Sequence, residues 1–416
     1  MVEGYATAKT RADEPVVLER HLQRALERHE FVLHYQPQVD LRSGRIVGLE
    51  ALVRWQSPNF GLVAPDRFIP LAEKTGLIGL LGEWVLNEAC HDVGCWQREG
   101  VPIVPVGINV AASQFAQQRI DQLVIRAIAA TDIEAQCLDL ELTESLSMAD
   151  AQASVQLMHQ LKTIGVSLSI DDFGTGYSNL AYLRRFPIDT LKIDQSFVRH
   201  LASGPEELAI AAAIVSLARA LDIRSLAEGV ETKAQLRLLD SLGCDAIQGF
   251  HFSRPVPGCE VSCMLREGRT LDLSELEHPP YRRTVLLVDD DPQMHLLVRH
   301  VVEQEGLEFL GVENTDLACD VLALHDVGVV LSDFQMPGEN GVDFLARVRK
   351  LHPHTVRILL TGDSSPDTIT TAINRGEVFR YLGKPWKRSQ LVEILQEAFV
   401  RHERTRDETS RAIAAG

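Results

Sequence analysis

Between residues 17 and 258 the chain alternates between two spacings of apolar residues. Short runs place an apolar residue at every second position, the period of a strand, and longer stretches return one every three or four, the period of a helix. The strand-like runs are FVLHYQPQV, RIVGLEALVRW, IVPVGINV, CLDLELTE, VSLSIDD, TLKID, IRSLAEGV and DAIQGF. Helix-like stretches lie between them, among them LIGLLGEWVLNEACHDV, AQASVQLMHQLKTIG, EELAIAAAIVSLARAL and TKAQLRLLDSLG, the last closing on Gly243 as a terminator. About eight such units fit the size of a (β/α)8 TIM-like barrel, an α/β fold. Over 259–282 the rhythm is lost and Pro279-Pro280 interrupts, which reads as a linker with room for a short helix. Residues 283–402 resume it with RTVLLVDDD, LEFLGVEN, VGVVLSDF, TVRILLTGD and VFRYLGKPW, the pattern of a doubly wound five-stranded parallel sheet. The polar ends, 1–16 and 403–416, read as loose tails.

Composition narrows the class. Of 416 residues 45% are hydrophobic and 24% charged, ordinary for a globular protein, and no apolar run approaches the ~18 residues that a membrane span needs. The opening MVEGYATAKTRADEP lacks the apolar core of a secretory signal, so a cytoplasmic protein without membrane attachment is expected. Seven scattered cysteines without a CxxC pair suit a reducing compartment. Cys259 and Cys263 stand four apart in a helical stretch but lack the partners of a zinc site. A net charge of −17 argues against DNA as a partner, and a small anionic substrate would need bridging cations.

The candidate chemistry lies where strands end. Glu50, Asn109, Glu141, the pair Asp171 and Asp172, Lys192, Glu228 and Gln248 each interrupt a β run near its C-terminal end, and in a barrel those ends meet at one mouth. Asp171 and Asp172 point to opposite faces of a regular strand, so they converge only where it stops; Gly174 and Gly176 would turn the chain there. Any one of these residues also fits a solvated turn or cap. Together, so many carboxylates repel unless cations join them. Oxygen donors without thiolate or imidazole suit Mg²⁺ or Mn²⁺, and two such ions suit hydrolysis of a phosphodiester. The GTG within 174–176 lacks the third glycine of a dinucleotide fingerprint.

With these residues in place, 17–258 resembles the EAL domain, a phosphodiesterase family that opens cyclic di-GMP to linear pGpG. The name-giving motif stands as Glu50-Ala51-Leu52, and YQP at 35–37, FIPLAEKTGLI at 68–78, ELTE at 141–144, DDFGTGYSNL at 171–180, LKID at 191–194, AEGVET at 227–232 and QGFHFSRP at 248–255 follow in order. The resemblance implies that Glu50, Asn109, Glu141 and Asp171 hold one metal, that Asp171 bridges to a second held with Asp172, and that Glu228 completes the metal and water shell. It implies that Lys192 contacts the catalytic water or phosphate, that Gln248 holds the water network, and that Gln36, Leu52 and Arg54 meet the substrate. Glu144 would order the DFGTGYS loop and couple it to a homodimer. Glu231 would stand behind the metal ligands, or be an ordinary surface glutamate. The family's NxS pattern is altered to Asn109-Val110-Ala111, which removes a hydroxyl but no ligand. A barrel that senses cyclic di-GMP without cleaving it, or serves as a scaffold, is the alternative. No GGDEF-like motif points to synthesis of the messenger.

The second block carries its own row: Asp289 and Asp290 end one run, Asp333 and Thr361 end two more, and Lys384 follows a fourth. Over its whole length it resembles a response-regulator receiver domain. That implies Mg²⁺ held by Asp289, Asp290 and Asp333, phosphorylation of Asp333 by a cognate sensor histidine kinase, a phosphoryl contact from Lys384, and a switch formed by Thr361 and Tyr381. Phosphorylation is expected to regulate the barrel, with activation as the favoured direction.

Overall fold

The computed structural model of the protein describes residues 14–111, 114–115, 119–144, 151–176, 183–276, 283–362 and 378–414. It forms two compact units. In the first, strands β1 (Phe31–Asp40), β2 (Ile46–Ser57), β4 (Val106–Asn109), β5 (Leu138–Thr143), β6 (Ser167–Phe173), β7 (Thr190–Ile193), β8 (Arg224–Ala227) and β9 (Ala246–Gln248) close a barrel. A short β3 (Gly61–Val63) and β10 (Val256–Pro257) extend β2 and β1 at the seam. From β2 through β9 the barrel strands run parallel, but β1 is antiparallel to both neighbours, β2 and β9. The alternation marks β1 as a strand without its direction; the short turn after Asp40 makes it a hairpin partner of β2, whereas a parallel pair needs a long crossover.

The pleat sorts the side chains. Leu140 and Leu142 on β5, Leu168 and Ile170 on β6, and Leu191 and Ile193 on β7 are buried toward the surrounding helices. Their alternates Asp139, Glu141, Ser169, Asp171 and Lys192 therefore point into the lumen. This lumen is filled with polar groups that answer one another: Ser169 Oγ donates to Asp139 Oδ2 at 2.5 Å, and Arg224 Nη2 donates to Asp40 Oδ2 at 3.1 Å. The apolar core sits between strands and helices. One part of it gathers Leu18, Leu22, Phe31, Trp55, Val63, Phe68 and Leu81, and Trp55 Nε1 donates to the buried Glu30 at 2.8 Å.

The helix Ile78–Arg98 buries Leu81, Val85, Ala89, Cys90 and Val93 at helical spacing, and it follows a left-handed Gly76 that caps the helix Pro65–Thr75. In the stretch expected as a linker, Gly258–Glu267 is a helix with Val261, Met264 and Leu265 buried, while 277–282 lie outside the described residues. Cys259 and Cys263 are exposed on it.

The second unit holds a parallel sheet in the order β12-β11-β13-β14-β15, with β11 Thr284–Val288, β12 Glu308–Val312, β13 Val327–Asp333, β14 Val356–Thr361 and β15 Arg380–Gly383. Val285, Leu287, Val329, Leu331, Ile358 and Leu360 pack one face and Leu286, Val288, Val330 and Leu359 the other. Such two-sided burial is the reason these strands read as nearly continuous apolar runs. Residues expected as a frayed C-terminal tail instead continue the helix Arg388–Ala414, where Arg406 Nη1 meets Asp326 Oδ2 at 3.0 Å. The earlier N-terminal residues 1–13 lie outside the described set, and the helix Glu14–Ala25 starts inside the expected tail. Among the described residues no helix is long and apolar enough to cross a membrane.

On the outer face of β1, the fully buried Tyr35 donates from its hydroxyl to Asp92 Oδ2 at 2.6 Å. Burial pushes the Asp92 carboxyl up, and the Tyr35 hydrogen bond opposes it. Tyr35→Phe is expected to lower stability by about 1–2 kcal/mol in urea unfolding, because it leaves a desolvated carboxylate short of a donor.

Candidate active site

Register brings the polar residues together. Gln36 on β1 lies opposite Glu50 on β2, Asn109 on β4 beside Glu141 on β5, and Thr143 beside Asp171 on β6. At the centre stands Lys192 of β7, only 1% exposed. Its Nζ lies 2.6 Å from Glu228 Oε1, 2.7 Å from Glu141 Oε2, 3.5 Å from Asp171 Oδ1 and 3.8 Å from Glu50 Oε2. Around this core Asn109 Nδ2 donates to Glu50 Oε1 at 2.7 Å, and Gln248 Nε2 donates to Glu50 Oε2 and, at 3.2 Å, to Gln36 Oε1. Gln36 in turn donates from Nε2 to the Ser253 carbonyl at 3.1 Å. Glu50, Asn109, Glu141, Asp171, Lys192, Glu228, Gln248 and Gln36 thus form one network.

Asp171 and Asp172 converge by a different device from the glycine turn expected. Asp172 itself adopts a left-handed φ of 55°, and the pairing of β6 with β7 slips between Ile170 and Phe173. This bulge adds a residue within the strand, so two successive side chains reach the same end. Asp171, Asp172 and Glu228 each offer a carboxylate oxygen, all within 4.8 Å of one another. Gly174, at φ 99°, then turns the chain beyond Phe173. The amides of Gly174 and Gly176 donate to Glu144 Oε2 at 2.9 and 3.3 Å, so the buried Glu144 ties down the turn. Residues 177–180 of the loop lie outside the described set.

One ammonium neutralises one of four carboxylates; the rest must take up protons or cations. Burial, and after it the charge of Asp171 and Glu50, pushes Glu228 up to about 8 despite Lys192. Glu141 is raised well above the usual carboxylate range, again first by burial. Burial and the neighbouring Asp171 push Asp172 up to about 6. Burial works against the Lys192 charge, yet Glu141, Glu228, Glu50 and Asp171 outweigh it and hold its pKa well above the ordinary value. Two buried oxygens, Glu141 Oε1 and Gln248 Oε1, have no hydrogen-bond partner among the described residues. With donors that are all carboxylate or amide oxygens, the residues fit a hard divalent cation.

Leu52 and Arg54 share the inner face of β2 with Glu50. Arg54 is half-buried and donates to the Val53 carbonyl at 3.0 Å. Leu52, Asn109 and Thr143 border a cavity of about 300 Å³ that Ile69, Glu73 and Gln114 also line. Glu231 is exposed. Asp139 is a lumen residue that a search for strand-end acids misses, because it sits two residues below Glu141; the alternation in LDLELT is the signal that reveals it.

In the second unit Lys384 Nζ lies 2.6 Å from Asp333 Oδ1 and 2.9 Å from Asp289 Oδ2. Asp289, Asp290 and Asp333 place a carboxylate oxygen each within 4.8 Å of the others. Burial acts against the Lys384 charge, but hydrogen bonds to Asp333 and Asp289 raise its pKa. Thr361 is buried at the end of β14, and Tyr381 is 45% exposed on β15.

Both units are similar to known proteins. The EAL domain family matches residues 19–255, and the response regulator receiver domain family matches 285–396. The bifunctional diguanylate cyclase/cyclic di-GMP phosphodiesterase MucR of Pseudomonas aeruginosa is 48% identical over 59% of this chain and 36% of its own length. The cyclic di-GMP phosphodiesterase NbdA of the same organism is 42% identical over 62% of this chain and 33% of its own. The chain thus spans about a third of the length of these curated relatives. Among solved structures, the MucR phosphodiesterase in complex with c-di-GMP superposes with a TM-score of 0.58 at 47% identity, covering 59% of this chain and 99% of that one. The EAL domain of DcpA from Mycobacterium smegmatis gives 0.51 at 36% identity, covering 58% and 100%.

Glu144→Ala is expected to speed hydrogen exchange at the Gly174 and Gly176 amides by on the order of tenfold, with β5 and β7 unchanged, since each donates to a charged acceptor. Unchanged exchange would show that other contacts hold the turn.

Proposed function

The chain belongs to the EAL domain family, and on that premise we propose that its barrel hydrolyses cyclic di-GMP to pGpG with Mg²⁺ or Mn²⁺, under control of the receiver domain. The observation that carries this reading is the cluster around Lys192, in which polar groups from seven barrel strands meet at one end and buried acceptor oxygens remain unspent. Glu50, Asn109, Glu141, Asp171, Asp172 and Glu228 would hold the ions. Bound there, Mg²⁺ or Mn²⁺ supplies Lewis-acid polarisation of the phosphate and an acidified water. Lys192, fixed between Glu141 and Glu228, donates to the oxygen that gains charge during displacement. Glu228 sits within reach of that ammonium and receives the proton of the attacking water.

Arg54 offers a planar fork to a phosphate of the substrate, and Gln36, held by Gln248 and the Ser253 carbonyl, presents a prealigned amide. The apolar cavity bordered by Leu52 suits a planar base. Phe250, in the loop just beyond Gln248, is 44% exposed with the Arg254 guanidinium 4.2 Å from its ring centroid, a second surface for stacking. Asp333 accepts a phosphoryl group from a sensor histidine kinase, adding about −1.5 to −2 charge beside Lys384 and Thr361. A homodimer coupled through the loop at Glu144 is the assembly this reading favours.

Purified protein with cyclic di-GMP and Mg²⁺ or Mn²⁺ is expected to yield pGpG, EDTA to abolish it, and Glu50→Ala to lower kcat by on the order of 10²–10³. No pGpG in either phosphorylation state would overturn the enzymatic reading in favour of a sensor. An acyl phosphate donor is expected to raise turnover of the wild type and leave Asp333→Ala unaffected; equal rates throughout would remove the regulatory link.

A further inference from the structure

We propose that Gly107 is a positioning residue for the metal centre, the empty place on the barrel wall that lets the Glu141 carboxylate lie where a ligand oxygen is needed. This role rests on the reading of the cluster as a metal site. Gly107 lies on β4 between Glu50 of β2 and Asp139 of β5, on the same lumen face. Its backbone is ordinary extended strand, a conformation that any residue adopts. Nothing in the chain's path therefore demands glycine, and glycine inside a strand weakens it unless something must approach closely.

What approaches is Glu141. A Cβ built on Gly107 would clash with Glu141 Oε1 and stand 2.9 Å from its Cδ, while the Leu49 carbonyl oxygen is at an ordinary 3.4 Å. Glu141 Oε2 is already fixed by Lys192 at 2.7 Å, and Oε1 is buried without a hydrogen-bond partner among the described residues. The carboxylate is thus clamped between the ammonium and the bare wall of β4, with its free oxygen as an acceptor. A methyl group at 107 would turn or lift the carboxylate, because the Glu141 side chain is the nearest thing it meets.

The test measures Mn²⁺ binding to the full chain, with the second acidic cluster removed in every sample by Asp289→Asn and Asp290→Asn, by calorimetry or by the electron spin resonance signal of free Mn²⁺. Gly107→Ala is expected to weaken binding by about 10- to 100-fold, the range for residues that orient metal ligands. Its melting temperature in EDTA should stay within about 3 °C of wild type. In a Glu141→Asp background, whose shorter side chain clears the wall, the same alanine should change binding by less than about twofold. Wild-type affinity in Gly107→Ala, equal weakening in both backgrounds, or loss of the fold in EDTA would each overturn the role. A wild type that binds no Mn²⁺ would overturn the metal centre itself, which separates the two readings.

Discussion

The placement of one ammonium governs the barrel. Lys192 reaches four carboxylates, Glu50, Glu141 and Asp171 from three other strands and Glu228 just past the end of β8, and it does so because β7 sits opposite β2 and between β6 and β8 in a closed ring. A single positive charge cannot balance four negative ones, so the lumen holds a standing demand for cation or proton. Burial first, and the crowding of like charge after it, holds the carboxyls of Glu141 and Glu228 up. The cost of gathering such groups is offset outside the lumen, where the alternate residues of the same strands bury Leu140, Leu168, Leu191 and their neighbours.

Much of this was legible because it follows from period. Alternation separates Leu140 and Leu142 from Asp139 and Glu141, and strand ends converge in any closed barrel, so the acids from Glu50 to Glu228 could be assigned to one mouth before any coordinates. What alternation lacks is direction and irregularity. It does not distinguish a strand entering antiparallel, as β1 does, and it misplaces the means by which Asp171 and Asp172 converge. The glycines that follow invited a turn, while the structure uses Asp172 in a left-handed conformation, which short carboxylate side chains tolerate better than most. The helical C-terminal stretch is hidden for a related reason: 403–411, ERTRDETSR, contains no apolar residue, so no helical period shows there although the helix runs to Ala414.

The receiver repeats the barrel's logic in smaller form. There, too, a lysine following a strand end joins carboxylates from neighbouring strands, Lys384 with Asp289 and Asp333, and a third acid, Asp290, stands within reach. The difference lies in exposure. Lys192 is sealed, whereas the Lys384 side chain remains 22% exposed and Asp290 is open to solvent.

The reversed first strand has a consequence for how this domain can be joined to others. Because β1 runs against β2 and β9, its hairpin turn lies at the floor of the barrel and its start lies at the rim. In an all-parallel barrel a preceding segment is threaded in from below, away from the chemistry. Here any segment placed ahead of Phe31 is delivered to the rim where the acids gather, and the helix Glu14–Ala25 already occupies that approach, packing Leu18, Leu22 and Ala25 against Trp55, Val63 and Phe68. β9 also ends at the rim, but the chain then returns through the helix Gly258–Glu267 to the floor, where Leu271 N donates to the Gly44 carbonyl at 2.8 Å in the β1–β2 turn, so the barrel takes in its chain at one end and releases it at the other.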